Sequence, residues 1–250
     1  METPQQSIHQ TIFKAPLDNG TAAAQLLSPI VENIWEVNAP LEMPGLRMTH
    51  RMTVLRLQSG GLLIHSPVQY TRPLRDAILA LGSPKWFVAP SLYHDMSWLE
   101  WFGAFPQACF VTVPGMREEH PELPFAEVLT EHSNFWDGEL VPIPVRGMPK
   151  INEFVLLHRA SRTLILADLV FNLDTDAQSA LGRLFLRLNG LYRKPGISRI
   201  FRAFIKDKTA FRDSIQQILA HDFDLMIIGH GPNLGGRPVF EQAAKTAGII

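Results

Sequence analysis

DLMIIGHG, Asp224 to Gly231, sets four consecutive apolar residues, Leu225 to Ile228, ahead of a histidine between two glycines. The apolar run has the length and content of a buried strand, and it stops at Gly229. A strand ending in Gly-His-Gly places the His230 imidazole at the rim of a sheet with no adjacent side chains to crowd it. Such a position suits a metal ligand or a catalytic base.

Upstream, three more strands end on groups able to bind a cation or carry a proton. LLI ends on His65, KWFVA runs through Pro90 into a loop holding His94 and Asp95, and TLILA ends on Asp168. In layered α/β proteins, sites collect where several strand ends meet. Imidazole nitrogen with carboxylate oxygen is a natural donor set for a borderline divalent metal. Each residue also has a plainer reading. His65 before Ser-Pro can hydrogen-bond a turn, Asp95 can cap the helix of WLEWF, and Asp168 can cap the next element or pair with Arg162. His158 reads as a turn residue, and His9, His120, His132 and His221 as solvated.

The rest of the chain supports a sheet-and-helix architecture. Ile34–Val37, Met48–Leu57 and Leu62–Ile64 read as strands, the last two joined by a Gly60-Gly61 turn. Thr71 reads as the N-cap of a helix through Leu74, Ile78 and Leu81, with Pro73 in its first turn. Lys85–Ala89, Ala108–Val113, Leu140–Val145, Glu153–His158 and Thr163–Ala167 read as further strands, with a helix around Trp98, Trp101 and Phe102. Strands alternating with helices over short connections give an α/β fold in layers. Residues 1–28 are expected to form a tail or arm, and 29–250 a single domain.

With 250 residues and 46% hydrophobic content the chain can bury a full core. A net charge of −1 gives the whole surface no bias toward nucleic acid. The single cysteine, Cys109, excludes an internal disulfide and a cysteine-rich zinc site, and fits a reducing compartment. The polar N-terminus does not read as a secretory signal, and no apolar run approaches the roughly 20 residues of a membrane helix. A cytoplasmic location is the expectation. One stretch breaks the neutral balance. A helical segment over about 177–220 carries nine cations from Arg183 to Arg212 against Asp207 and Asp213, interleaved with Leu184, Leu188, Ile200 and Phe204. It reads as a solvated amphipathic face or as a surface for an anionic partner.

In their order, these features resemble the metallo-β-lactamase-like fold, the four-layer αββα sandwich of metal-dependent hydrolases. RMTVLRL, GGLLIHSP, the His94 loop, HRASRTLILADL and IIGHG resemble more closely an uncharacterised bacterial domain family of that fold. The first metal loop of active members reads His-x-His-x-Asp-His. Aligning it on Asp95 puts Ser91, Tyr93 and Met96 where histidines stand, and Gly147-Met148-Pro149 replaces a Gly-His-Thr turn. The resemblance therefore implies a reduced site of Asp95, Asp168 and His230, with His94 or His65 as a fourth ligand. That set would hold one divalent metal, Zn, Fe or Mn, and Asp95 would act as base or water-orienting group. The expected activity is hydrolysis of a small-molecule ester, thioester or phosphoester. A non-catalytic binding or scaffold protein is the alternative, and a membrane-surface role for the basic helices ranks below both.

Overall fold

The polypeptide folds into two sheets, and the computed structural model describes residues 26–43 and 45–250. In the first sheet, β1 (Ser28–Val31), β2 (Ile34–Met43), β3 (Leu46–Arg56) and β4 (Leu62–His65) run antiparallel in sequence order. β5 (Pro84–Val88), β6 (Cys109–Thr112) and β7 (Glu127–Val128) extend it in parallel. The second sheet has the order β12-β11-β10-β9-β8. Its members are β8 (Leu140–Pro144), β9 (Phe154–His158), β10 (Thr163–Ile165), β11 (Leu225–Ile227) and β12 (Leu234–Gly235). β10 and β11 are parallel and the other pairings antiparallel.

Side-chain alternation explains the layering. Along β9, Phe154 and Leu156 enter one hydrophobic cluster while Val155 and Leu157 enter another. Ile165 and Ile227 face the first cluster; Leu164 and Met226 face the second. Successive strand residues point to opposite faces, so a strand that is apolar at every position must be covered on both. The first cluster lies against the seven-stranded sheet and takes in Leu74 and Ile78 of α1 (Arg72–Leu81) and Trp98 and Trp101 of α2 (Trp98–Ala104). After the short α3 (Met116–Glu119), the basic segment folds as α4 (Ala180–Asn189), α5 (Arg199–Ala203) and α6 (Lys208–Leu219). The second cluster takes in Phe211, Ile215 and Ile218 of α6 and Phe240 and Ala244 of α7 (Arg237–Thr246). The result is the expected helix–sheet–sheet–helix sandwich.

Local signals set several boundaries. Thr71 caps α1 by accepting from the Leu74 amide at 3.2 Å. The basic segment breaks into three helices because Gly190, at φ 77, closes α4, Ser198 caps α5, and Asp207 caps α6. β1, β7 and β12 are additions to the strands read from sequence, and β2 is much longer than Ile34–Val37. Its outer half alternates with polar Glu36, Asn38 and Glu42, which hides the strand from a search for apolar runs. Residues 1–25, the bulk of the expected arm and including His9, lie outside the described residues. β10 and β11 stop at Ile165 and Ile227, so Asp168 and His230 lie in the bends that follow rather than on the strands themselves.

Candidate metal centre

The two bends are laced together by backbone hydrogen bonds. The Gly229 amide donates to the Ala167 carbonyl at 3.2 Å, and the Asn172 amide donates to the His230 carbonyl at 3.1 Å. A Cβ at position 229 would stand 2.5 Å from the Ala167 oxygen. At position 231, where φ is +103, it would stand 1.8 Å from the Asn172 oxygen. The glycines around His230 are thus required by the close passage of the 167–172 chain. This corrects the expectation that they leave the imidazole uncrowded, for Phe171 stacks on the His230 ring at 5.3 Å. Arg51 of β3 ties the other sheet to the same bend. Its amide donates to the Gly229 carbonyl at 3.0 Å, and its guanidinium contacts the Ile228 carbonyl, Asn233 Oδ1 at 2.7 Å and the Glu36 carboxylate at 2.9 Å.

The Asp168 carboxylate sits between two imidazoles, with His230 Nε2 3.1 Å from Oδ1 and His94 Nε2 3.4 Å from Oδ2. His230 Nδ1 lies 2.6 Å from the Thr49 carbonyl, which only accepts, so Nδ1 carries a proton. With Nδ1 so occupied, Nε2 faces the carboxylate oxygen, as a lone pair if the ring is neutral and as a donor if it is protonated. Two acceptors at that distance require a proton or a cation between them. Ser66 Oγ joins His94 Nδ1 to His50 Nε2, the latter at 2.8 Å. If His94 Nδ1 donates to Ser66 and Ser66 donates to His50, His94 Nε2 also presents a lone pair toward Asp168. Ser91 Oγ donates to Asp168 Oδ2 at 2.9 Å.

These donors fit a divalent metal. One atom each from His94, Asp168 and His230 lies within 4.8 Å of the others, and all three residues are buried. A tetrahedral zinc with ligands at about 2.0–2.1 Å spaces its donors about 3.3 Å apart, and each imidazole lies at about that distance from one oxygen of Asp168. Hydrogen bonds on the far nitrogens, to Thr49 and Ser66, are the supports that ligating histidines usually have. Electrostatics agree. Burial alone would raise Asp168, but positive charge and hydrogen bonds from the two imidazoles when protonated outweigh it and hold the carboxyl well below its usual range, so the pocket favours a carboxylate facing positive charge. Beneath it, Glu153 accepts from the amides of Ala167 at 2.8 Å and Asp168 at 3.2 Å. Burial, reinforced by the Asp168 charge, pushes Glu153 up to about 8.

With this geometry the whole-chain comparison has a clear meaning. The DIM-1 metallo-β-lactamase is similar with a TM-score of 0.63 and 17% identity, covering 88% of this chain and 96% of that one. The fold is that of the metallo-β-lactamases. The FIM-1 enzyme of Pseudomonas aeruginosa, in its mono-zinc form, gives 0.59 at 14% identity over 89% of this chain and 94% of its own. A putative diflavin flavoprotein from Nostoc sp. PCC 7120 gives 0.62 at 12% over 89% and 94%. No protein-family model matches the chain, and no curated protein matches it.

Within this metallo-β-lactamase fold, three of the five residues read from sequence meet: His94, Asp168 and His230. Asp95 does not join them. The turn closed by the His94 amide on the Ser91 carbonyl, at 3.2 Å, turns His94 inward, while the Asp95 carboxylate lies 3.1 Å from His120 Nε2. Nor does Asp95 cap the next helix, whose N-cap is Ser97. The residue this loop turns toward Asp168 is therefore His94, one position before Asp95, and His120 is half-buried rather than solvated. His65 is buried at the end of β4 and outside the three-donor group; its Nε2 has no hydrogen-bond partner, and burial with the nearby His94 lowers it to about 3. Arg162 pairs with Asp224, at 2.7 Å, not with Asp168. His158 bonds Ser161 and Glu139 and is buried at the end of β9, so it is structural, but on the strand rather than in the expected turn.

Four residues of the centre were not singled out from sequence: His50, Ser66, Ser91 and Glu153. His50 had a signal, since it alternates with the buried Met52 and Val54 along β3 and so faces the core. Ser66 takes a left-handed backbone, φ 54, which no local residue preference announces.

Proposed function

We propose that the protein is a metal-dependent hydrolase with a mononuclear centre held by His94, Asp168 and His230. The observation carrying this reading is that buried His94, Asp168 and His230 each bring a donor atom within 4.8 Å of the others, with His230 Nδ1 on the Thr49 carbonyl and Nε2 turned to Asp168 Oδ1 at 3.1 Å. A cation between them satisfies both, and the mono-zinc form of FIM-1 is a precedent in this fold for one metal. The donor set suits Zn, Fe or Mn. When bound, the metal supplies Lewis-acid chemistry, polarising an ester, thioester or phosphoester oxygen and acidifying a water.

The chain's own groups supply the rest. Asp168 contributes the negative charge that offsets the cation, and Ser91 orients it. Thr49 and Ser66 fix the tautomers of the two imidazoles, and Ser66 with His50 offers a path for a proton away from the centre. The kinship with the uncharacterised domain family rests on the sequence motifs alone. Asp95, placed on His120, is not assigned the base.

One observation favours the non-catalytic alternative. His94, Asp168 and His230 are only 4%, 7% and 5% exposed, so a substrate needs the Phe171 side of the centre to open. The test is hydrolysis of nitrophenyl esters, thioesters and phosphodiesters by protein loaded with Zn, Fe or Mn and by protein treated with chelator. Metal-dependent turnover that disappears in His230→Ala supports the hydrolase. Tight metal binding with no turnover of any of them supports the binding protein.

A further inference from the structure

The face formed by α4 and α5 combines exposed leucines with an excess of positive charge, in which Arg193 is paired with Asp176 at 2.9 Å. Leu181, Leu184 and Leu188 are 67%, 48% and 61% exposed, and Ile200 on α5 is 50% exposed. Positions 181, 184 and 188 recur at i, i+3 and i+7, so they form one stripe along α4. Arg183 and Arg187 flank the stripe, with Arg193, Lys194 and Arg199 on the connection and the start of α5, all exposed. From Ala177 to Lys206 the sequence holds no Asp or Glu, although the whole chain has net charge −1.

The opposite sides of these helices are fully used. Leu186 and Leu191 pack with Leu46 and Leu173, Asn189 accepts from the Ile200 amide, and Phe201 packs edge-on against Phe171. Among the described residues no core cluster takes in Leu181, Leu184, Leu188 or Ile200, although Leu181 lies near Gly45 of the β2–β3 turn. Scattered exposed apolar residues are ordinary, but an aligned stripe rimmed with arginine is not.

We propose that this face docks on an anionic phospholipid bilayer. A helix with leucine on one line and arginine beside it lies in the membrane interface, apolar side chains inserted and cations at the headgroups. A second copy of the chain fits less well. Two such faces would bring together clusters in which cations outnumber the one Asp176 carboxylate paired with Arg193, and four apolar side chains fall well short of the roughly 800 Å² per partner of a stable dimer. Docking would set the helices that cover Phe171, and through it the His230 edge of the centre, against the lipid. The surface itself does not depend on whether the centre holds a metal.

Vesicle sedimentation of the full chain tests the proposal, comparing phosphatidylcholine alone with phosphatidylcholine–phosphatidylglycerol mixtures. Binding to the anionic vesicles only is expected, with loss toward about 1 M salt, where the screening length falls to about 3 Å. Arg187→Gln and Lys194→Gln should each weaken binding about five-fold. The double variant Leu184→Gln/Leu188→Gln should abolish it, with thermal unfolding unchanged because all these side chains are exposed. Lys150→Gln, exposed elsewhere, should have no effect. No binding to anionic vesicles at low salt, equal effects of Lys150→Gln and Lys194→Gln, or a dimer in gel filtration that Leu188→Gln dissociates would each overturn it.

Discussion

At the residue scale the centre depends on which nitrogen of each histidine carries a proton. Ser66 is the residue on which this turns, since its hydroxyl bonds both His94 and His50. Ser66→Ala should leave two buried ring nitrogens unpaired and cost about 1–3 kcal/mol, measured by urea unfolding of metal-free protein. It should also weaken metal binding roughly 10- to 100-fold, as loss of a supporting hydrogen bond does elsewhere. A neutral outcome on both would mean the serine does not orient His94. Outside the centre, the Asp95 hydrogen bond and charge raise His120 above its ordinary value, against a smaller opposing effect of burial. A raised histidine stabilises the fold fully below about pH 6.5, and that contribution is lost as pH rises through its folded value. Asp95→Asn should lower stability at about pH 5 by less than about 1 kcal/mol and leave it unchanged at about pH 9, as read from thermal midpoints. A larger loss at high pH would contradict the pairing. Histidine and aspartate types were legible in the sequence here. Which of two neighbours, His94 or Asp95, faces inward was not, because a tight turn settles it and no periodicity encodes the turn.

At the scale of elements, the Gly229 and Gly231 contacts hold the strand-end bends in register. Gly231→Ala combines a φ of +103 with a Cβ 1.8 Å from a backbone oxygen. It should cost about 3 kcal/mol or more in urea unfolding, or yield no soluble protein. Gly190→Ala closes α4 at φ 77 with open space around the new Cβ, so only conformational strain of about 1–2 kcal/mol is expected. Equal costs at the two positions would contradict the account of the close passage. Four of the five strands of the second sheet were readable because largely apolar runs leave few other structures open; β12, of two residues, is too short to show a pattern. β1 and the outer half of β2 were not, because polar residues and prolines interrupt the apolar pattern in the sequence.

At the scale of the molecule, Asp168 and His230 come from the second sheet, while Thr49, Ser66 and the Arg51 clamp come from the first and His94 from the loop after β5. A metal there bridges parts of the chain far apart in sequence and binds only the folded state. At about 100 times its dissociation constant it should raise the unfolding free energy by about 2.7 kcal/mol. Thermal melts with and without zinc read this directly, and no shift for the wild type would count against the centre. The most direct test is the metal-to-protein ratio after dialysis against Zn, Fe or Mn. The expected result is one equivalent in the wild type, lost in both Asp168→Ala and His230→Ala and retained in Asp95→Ala. No metal in the wild type, or loss in Asp95→Ala with retention in His230→Ala, would contradict it.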